Sequence, residues 1–246
     1  MLRIDASGLR EQVEELSDLE RVQLPFATAL ALTRTAESVG EFLVGQMRTR
    51  FDRPTPYTLN SLRVFPATKA KLVARVWMKD EAVKAAPATK WLSPEIYGGQ
   101  RNDKRAEVML RAKGILPEGK FVVPGRGAKL DRYGNISRGQ LTQALSGVGG
   151  FTEQGYDANA TSSARSRRKG NARRYFVMFD DDRKPIGIAE RTGNGRDKLS
   201  ILLAFVARPS YRKAFPFHEL AEQHAEAQLP GQFRAAIAEA LRTRRR

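Results

Sequence analysis

Apolar residues fall into helical or strand periods towards both ends of the chain and into neither period through its middle. Residues 8–20, GLREQVEELSDLE, step Leu9, Val13, Leu16 and Leu19 by three or four, which predicts an amphipathic helix. Pro25 suits the first turn of a second helix, where a missing N–H costs no intrahelical bond. From Phe26, FATALALTRTAESVGEFLVGQMRTRF reads as one long helix with Leu32, Ala36, Val39, Leu43, Met47 and Phe51 as its apolar stripe. DRPTP at 52–56 ends it, because each proline biases its predecessor away from helix.

The pattern then switches to alternation. SLRVFP and KLVARVWMKD, separated by ATKA, predict a hairpin. In the second strand Leu72, Ala74, Val76 and Met78 share one face, and Val73, Arg75, Trp77 and Lys79 share the other. RRYFVMFD and PIGIAERT predict a second hairpin with Asp180, Asp181 and Asp182 at its turn. KLSILLAFVARP, 198–209, is apolar on both faces, as a central strand is. The closing region, from Lys213, predicts a helix with Phe217, Leu220, Ala221, Phe233, Ile237 and Leu241 inward, and with a kink or restart at Pro230.

No period is sustained between about residue 80 and residue 172. The expectation is an α+β fold: a long N-terminal helix and a C-terminal helix packed on a small antiparallel sheet, interrupted by a long irregular basic insertion. Residues 1–80 then hold the N-terminal helices and first hairpin of the core, and 81–172 form an extended Gly/Arg-rich arm. Residues 173–246 complete the core with the second hairpin, the central strand and the last helix. GRGAKLDRYGNISRGQ, 125–140, belongs on this reading to the insertion, outside the core.

Charge sharpens the picture. The 246 residues carry 43 Lys+Arg against 27 Asp+Glu, a formal net charge of +16. Between Lys90 and Arg174 lie 17 basic and 7 acidic residues, so ten of those sixteen charges sit in the interruption. A field of that sign selects anionic partners: nucleic acid, an acidic protein surface or an anionic membrane. There is no cysteine, which removes disulfides, thiolate metal ligands and a cysteine nucleophile together. No uninterrupted apolar stretch reaches eighteen residues, so no membrane span is expected. MLRIDASGLREQVEEL places charges where a secretory signal needs an apolar run, which points to the cytoplasm as the place of synthesis.

Three stretches imitate catalytic motifs and fail on spacing. HELAEQH begins like a zinc-binding helix, but His218 and His224 stand six apart, about 240° around the helix axis, where such a site needs four. PGRGAK at 124–129 and TGNGRDK at 192–198 have the composition of phosphate loops without the Walker spacing. Asp180, Asp181 and Asp182 diverge at a hairpin tip, where aspartate is common for backbone reasons. No catalytic residue, cofactor or metal site is expected, and the chain does not read as an enzyme.

The strongest local signal is cationic. SSARSRRKGNARR holds Arg165, Arg167, Arg168, Lys169, Arg173 and Arg174 with no acidic residue; the glycine-rich stretch adds Arg126, Lys129, Arg132 and Arg138. Such clusters bind phosphates through counterion release, without reading sequence. They equally suit an acidic protein surface or plain solvation, and the residues leave that choice open.

GLREQVEELSDLERVQLPFATALALTRTA, 8–36, resembles the opening of the minor tail protein Z family of lambda-like phages: a Gly-Leu start, a charged helix, then a proline leading into an alanine-rich helix with an arginine near Arg34. ARPSYRKAFPFHELAEQHAEAQLPGQFRAAIAEAL is similar to the closing segment of that family and of phage tail-completion and neck proteins. The resemblance covers about a third of the chain and finds no counterpart for WLSPEIYGGQRNDKR or GRGAKLDRYGNISRGQ. It implies a virion structural protein assembled in the host cytoplasm, with no catalytic residues to carry over. Implied partners are other virion proteins (tail tube, portal or adaptor, or tail-terminator subunits), further copies in a homo-oligomeric ring, and phage DNA through non-specific contact.

Overall fold

The structure, a computed structural model, describes residues 23–82, 86–150, 163–169, 174–193 and 199–243. The helix expected over 8–20 lies outside them. The chain runs through α1 (Leu24–Arg50), α2 (Pro56–Leu59), β1 (Leu62–Phe65) and β2 (Arg75–Met78). Next come α3 (Ala88–Trp91), α4 (Ser93–Tyr97), β3 (Gly99–Gln100), α5 (Arg105–Ala112), β4 (Lys120–Pro124) and α6 (Arg138–Gly147). After α7 (Ala164–Lys169) follow β5 (Tyr175–Phe179), β6 (Pro185–Arg191), β7 (Leu199–Ala207), β8 (Ser210–Tyr211) and α8 (Phe217–Arg242). The fold is α+β, with its long helices near the two ends.

The chain divides into one unit of residues 1–97 and 213–246, and another of 98–212. In the first, α1 and α8 pack along each other and α1 also covers the β1–β2 ribbon. Most of the expected stripe of α1 is buried: Ala36, Val39, Leu43 and Met47 are inside and Phe51 packs half-buried against them, while Leu32 is half-buried outside the core clusters. Val39, Leu43 and Met47 meet Leu92, Ile96, Phe215 and Phe217 in one cluster, against which Leu62, Val76 and Met78 of the ribbon pack. Further along, Ala27 and Ala31 meet Ala236 and Ala240. Small side chains bring two helices close, and the narrow seam leaves Leu241 49 % exposed, so Leu241 is not the inward residue its spacing suggests. Nor does Pro230 restart the helix: α8 continues through it to Arg242.

The second unit corrects the expectation for the middle of the chain. Residues 81–172 were expected to be an irregular arm, with the second hairpin in the terminal core. Instead β4 pairs with β7, and a four-stranded antiparallel sheet forms in the order β4-β7-β6-β5. The second hairpin and the central strand therefore belong with the interior segment, and the boundaries fall at 97/98 and 212/213, not at 80 and 172. The cause is a pairing remote in sequence, Val122 with Phe205, which no local periodicity announces. Leu110, Leu116, Val122, Ala144, Leu145, Tyr175, Ile188, Leu202, Leu203 and Phe205 make the core. A bulge between Ile188 and Ala189 skips Leu202, which lets consecutive Leu202 and Leu203 both turn inward. The first and last strands of the unit, β3 and β8, pair antiparallel, Gly99 with Tyr211 and Gln100 with Ser210.

Candidate functional site

Residues 125–140 do not lie outside the core. The Gly125 and Gly127 amides donate to the Leu202 and Ile201 carbonyls of β7, both at 2.8 Å, so the stretch begins as a continuation of β4. A Cβ on Gly125 would strike the Ile201 carbonyl oxygen and stand 2.9 Å from Ile201 Cγ2. One on Gly127 would strike Ser200 Oγ and stand 2.9 Å from Ser200 Cβ. These two glycines are there for close approach to the sheet, whereas Gly134, at φ 79°, is there for a turn. Asp131 closes that turn: its Oδ1 accepts from the Tyr133 and Asn135 amides at 2.8 and 2.9 Å. Leu130 and Ile136 bridge behind it.

Gln140 locks the lobe in place. Its Oε1 accepts from the Lys129 amide at 2.7 Å, and its Nε2 donates to the Gly127 carbonyl at 3.3 Å and to Glu190 Oε2 at 3.4 Å. Ser137 caps α6 by accepting from the Gln140 amide. Glu190 is buried and also accepts from Arg174, whose Nε lies 2.6 Å from Oε1. A second buried carboxylate, Glu107, fixes the strand that leads into the lobe. It takes two bonds from Arg101 at 2.7 and 2.5 Å, and the backbone amides of Lys104 and Val122 donate at 2.6 and 2.8 Å. Burial alone would push the Glu107 carboxyl up, but the Arg101 and amide hydrogen bonds outweigh it and hold the group below the usual carboxylate range.

On this scaffold Arg126, Lys129, Arg132 and Arg138 are all exposed. Among the described residues none has a carboxylate within ion-pair distance; Arg132 lies over the Tyr133 ring, 4.7 Å from its centroid. Arg138 occupies the first position of α6, whose first turn holds no acidic residue. A cation there opposes the helix dipole, a cost that a bound anion would offset. No protein-family model, curated protein or solved structure matches this chain. Among the described residues no helix is long and apolar enough to cross a membrane.

The other cationic candidates are placed differently. Arg165 and Arg168 are exposed on the short helix α7, which also contains Arg167 and Lys169, and Arg173 lies outside the described residues. Arg174 is exposed, but its guanidinium is already ion-paired with the buried Glu190 and so serves the scaffold. Asp180 closes the β5–β6 turn by accepting from the Lys184 amide at 2.7 Å, with Arg183 at φ 61°. His218 and His224 have separate surroundings. The first meets the Tyr97 hydroxyl at 3.1 Å; the second stacks on Phe42 and meets Ser38 Oγ at 2.9 Å. Sequence reasoning missed Gln140, Glu190, Arg101 and Glu107, since nothing in their local pattern marks residues that bond across fifteen to fifty positions.

Proposed function

We propose that this chain is a structural protein of a phage virion, at the tail or the head–tail junction, acting through assembly contacts. One observation supports the reading: the described part of the first segment that resembles the minor tail protein Z family, residues 24–36, lies along α8, which makes up most of the second. Ala27 and Ala31 meet Ala236 and Ala240, and Arg34 bridges Glu239 at 2.9 Å. The resemblance thus concerns one folded body rather than two unrelated helices. Its partners are other virion proteins and further copies of the chain in a ring, with the cationic lobe facing an acidic neighbour or packaged DNA. The test is mass spectrometry of density-banded, nuclease-treated particles from the source strain. A fixed low ratio of this chain to the major capsid protein is expected; absence from particles overturns the proposal.

A second reading, non-specific nucleic-acid binding, is favoured by the four exposed lobe cations that lack carboxylate partners among the described residues. If each neutralises one phosphate, log K against log salt falls with a slope of about −3.6 on duplex DNA. Replacing all four by glutamine is expected to flatten that slope, and an unchanged slope rules the lobe out as the contact.

A further inference from the structure

The β1–β2 ribbon has one edge that nothing described occupies. Its register pairs Leu62 with Met78, Arg63 with Trp77, Val64 with Val76 and Phe65 with Arg75. The Lys79 amide donates to the Ser61 carbonyl at 2.8 Å, which sets the phase of the ladder. Residues 75, 77 and 79 therefore turn their amide groups towards β1, and Val76 and Met78 turn theirs outward. Among the described residues the backbone groups of Val76 and Met78 have no partner.

Two cavities flank that edge. Consecutive Val76, Trp77 and Met78 all line one of about 350 Å³, with Ile96 and Phe217 in its wall. Neighbouring side chains on a strand point to opposite faces, so a cavity touching all three lies beside the strand. Trp77 also walls an open groove of about 640 Å³ with Arg63, Phe65 and Lys79. The outer face is thus cationic and aromatic, the inner face apolar.

We propose that the open edge of β2 is a strand-addition site for an extended peptide whose apolar and acidic side chains alternate. Main-chain bonds to Val76 and Met78 supply the register, apolar side chains enter the cavity beside Ile96 and Phe217, and carboxylates meet Arg63, Arg75 and Lys79. A second copy is the wrong occupant: edges paired about Trp77 would set Arg75 against Lys79 twice, and like charges opposite each other repel. A nucleic-acid strand is disfavoured because it offers no alternating N–H and C=O groups to pair with Val76 and Met78. Moreover, the Phe65 ring already carries the Arg63 and Arg75 guanidiniums, at 4.8 and 5.1 Å from its centroid. The site stands independently of any role in a virion.

The probe is a fluorescent peptide of sequence Glu-Val-Glu-Leu-Glu-Val-Glu, titrated into the full-length protein and followed by anisotropy. Two N-methylated versions, one for each alternating set of amides, separate edge pairing from side-chain attraction. The expected result is micromolar binding that one set abolishes and the other leaves intact, with slowed hydrogen exchange at the Val76 and Met78 amides. Arg63→Glu, still folded by its thermal transition, is expected to weaken binding about tenfold. No binding of the parent peptide, the same response to both methylated sets, or unprotected Val76 and Met78 amides overturns the proposal. So does oligothymidylate displacing the peptide, which would reassign the face to nucleic acid.

Discussion

Gly125 and Gly127 show how a single missing Cβ positions a surface. Each lets the backbone come within hydrogen-bonding distance of β7, and the exposed cations follow from that placement. Gly125→Ala is expected to cost about 1–3 kcal/mol by overpacking, read as a lower urea midpoint, with faster exchange of the Gly127 and Lys129 amides. Glu107 gives a pH signature. Its folded pKa lies below 4.5, so the unfolded chain binds its proton first as acid is added. The stabilisation is complete above about pH 4.5 and disappears as pH falls through the folded value. Glu107→Gln should flatten the acid limb of a midpoint-against-pH curve. It should also destabilise the unit at neutral pH by about 3–5 kcal/mol, since Arg101 is left with its charge uncompensated. The composition of 125–140 announced special backbone, but its reason was hidden, because the atoms that require glycine belong to Ser200 and Ile201.

Elements with local logic were legible. The three-and-four stripe of α1 and the alternation in β2 predict the faces turned inward, the β5–β6 hairpin forms where its two runs predict it, and Asp180 closes its turn. α5 and α6 were not legible, being helices of eight and ten residues with few apolar positions to establish a period. In α8 the spacing of large apolar residues mis-set the far end, because alanines rather than Leu241 make the contact. Ala236→Leu is accordingly expected to force α1 and α8 apart and cost about 1–3 kcal/mol, measured as a fall in Tm. Pro230 offers the opposite sign. It is exposed inside a continuous helix, lacks an N–H and crowds the Glu226 carbonyl, so Pro230→Ala should raise Tm.

At the scale of the molecule, each unit has its own core: apolar side chains of α1, α8 and the β1–β2 ribbon in one, a four-stranded sheet with α5 and α6 in the other. Residues 98–212 expressed alone are expected to unfold cooperatively with dispersed amide resonances; a molten product would count against the division. The β3–β8 pairing adds a consequence. Because Gly99 sits opposite Tyr211, the two points where the chain crosses between units are a ladder spacing apart, about 5 Å. A gene with this layout can swap its middle as a cassette: any insert whose ends meet at that spacing leaves the helical body's chain path closed.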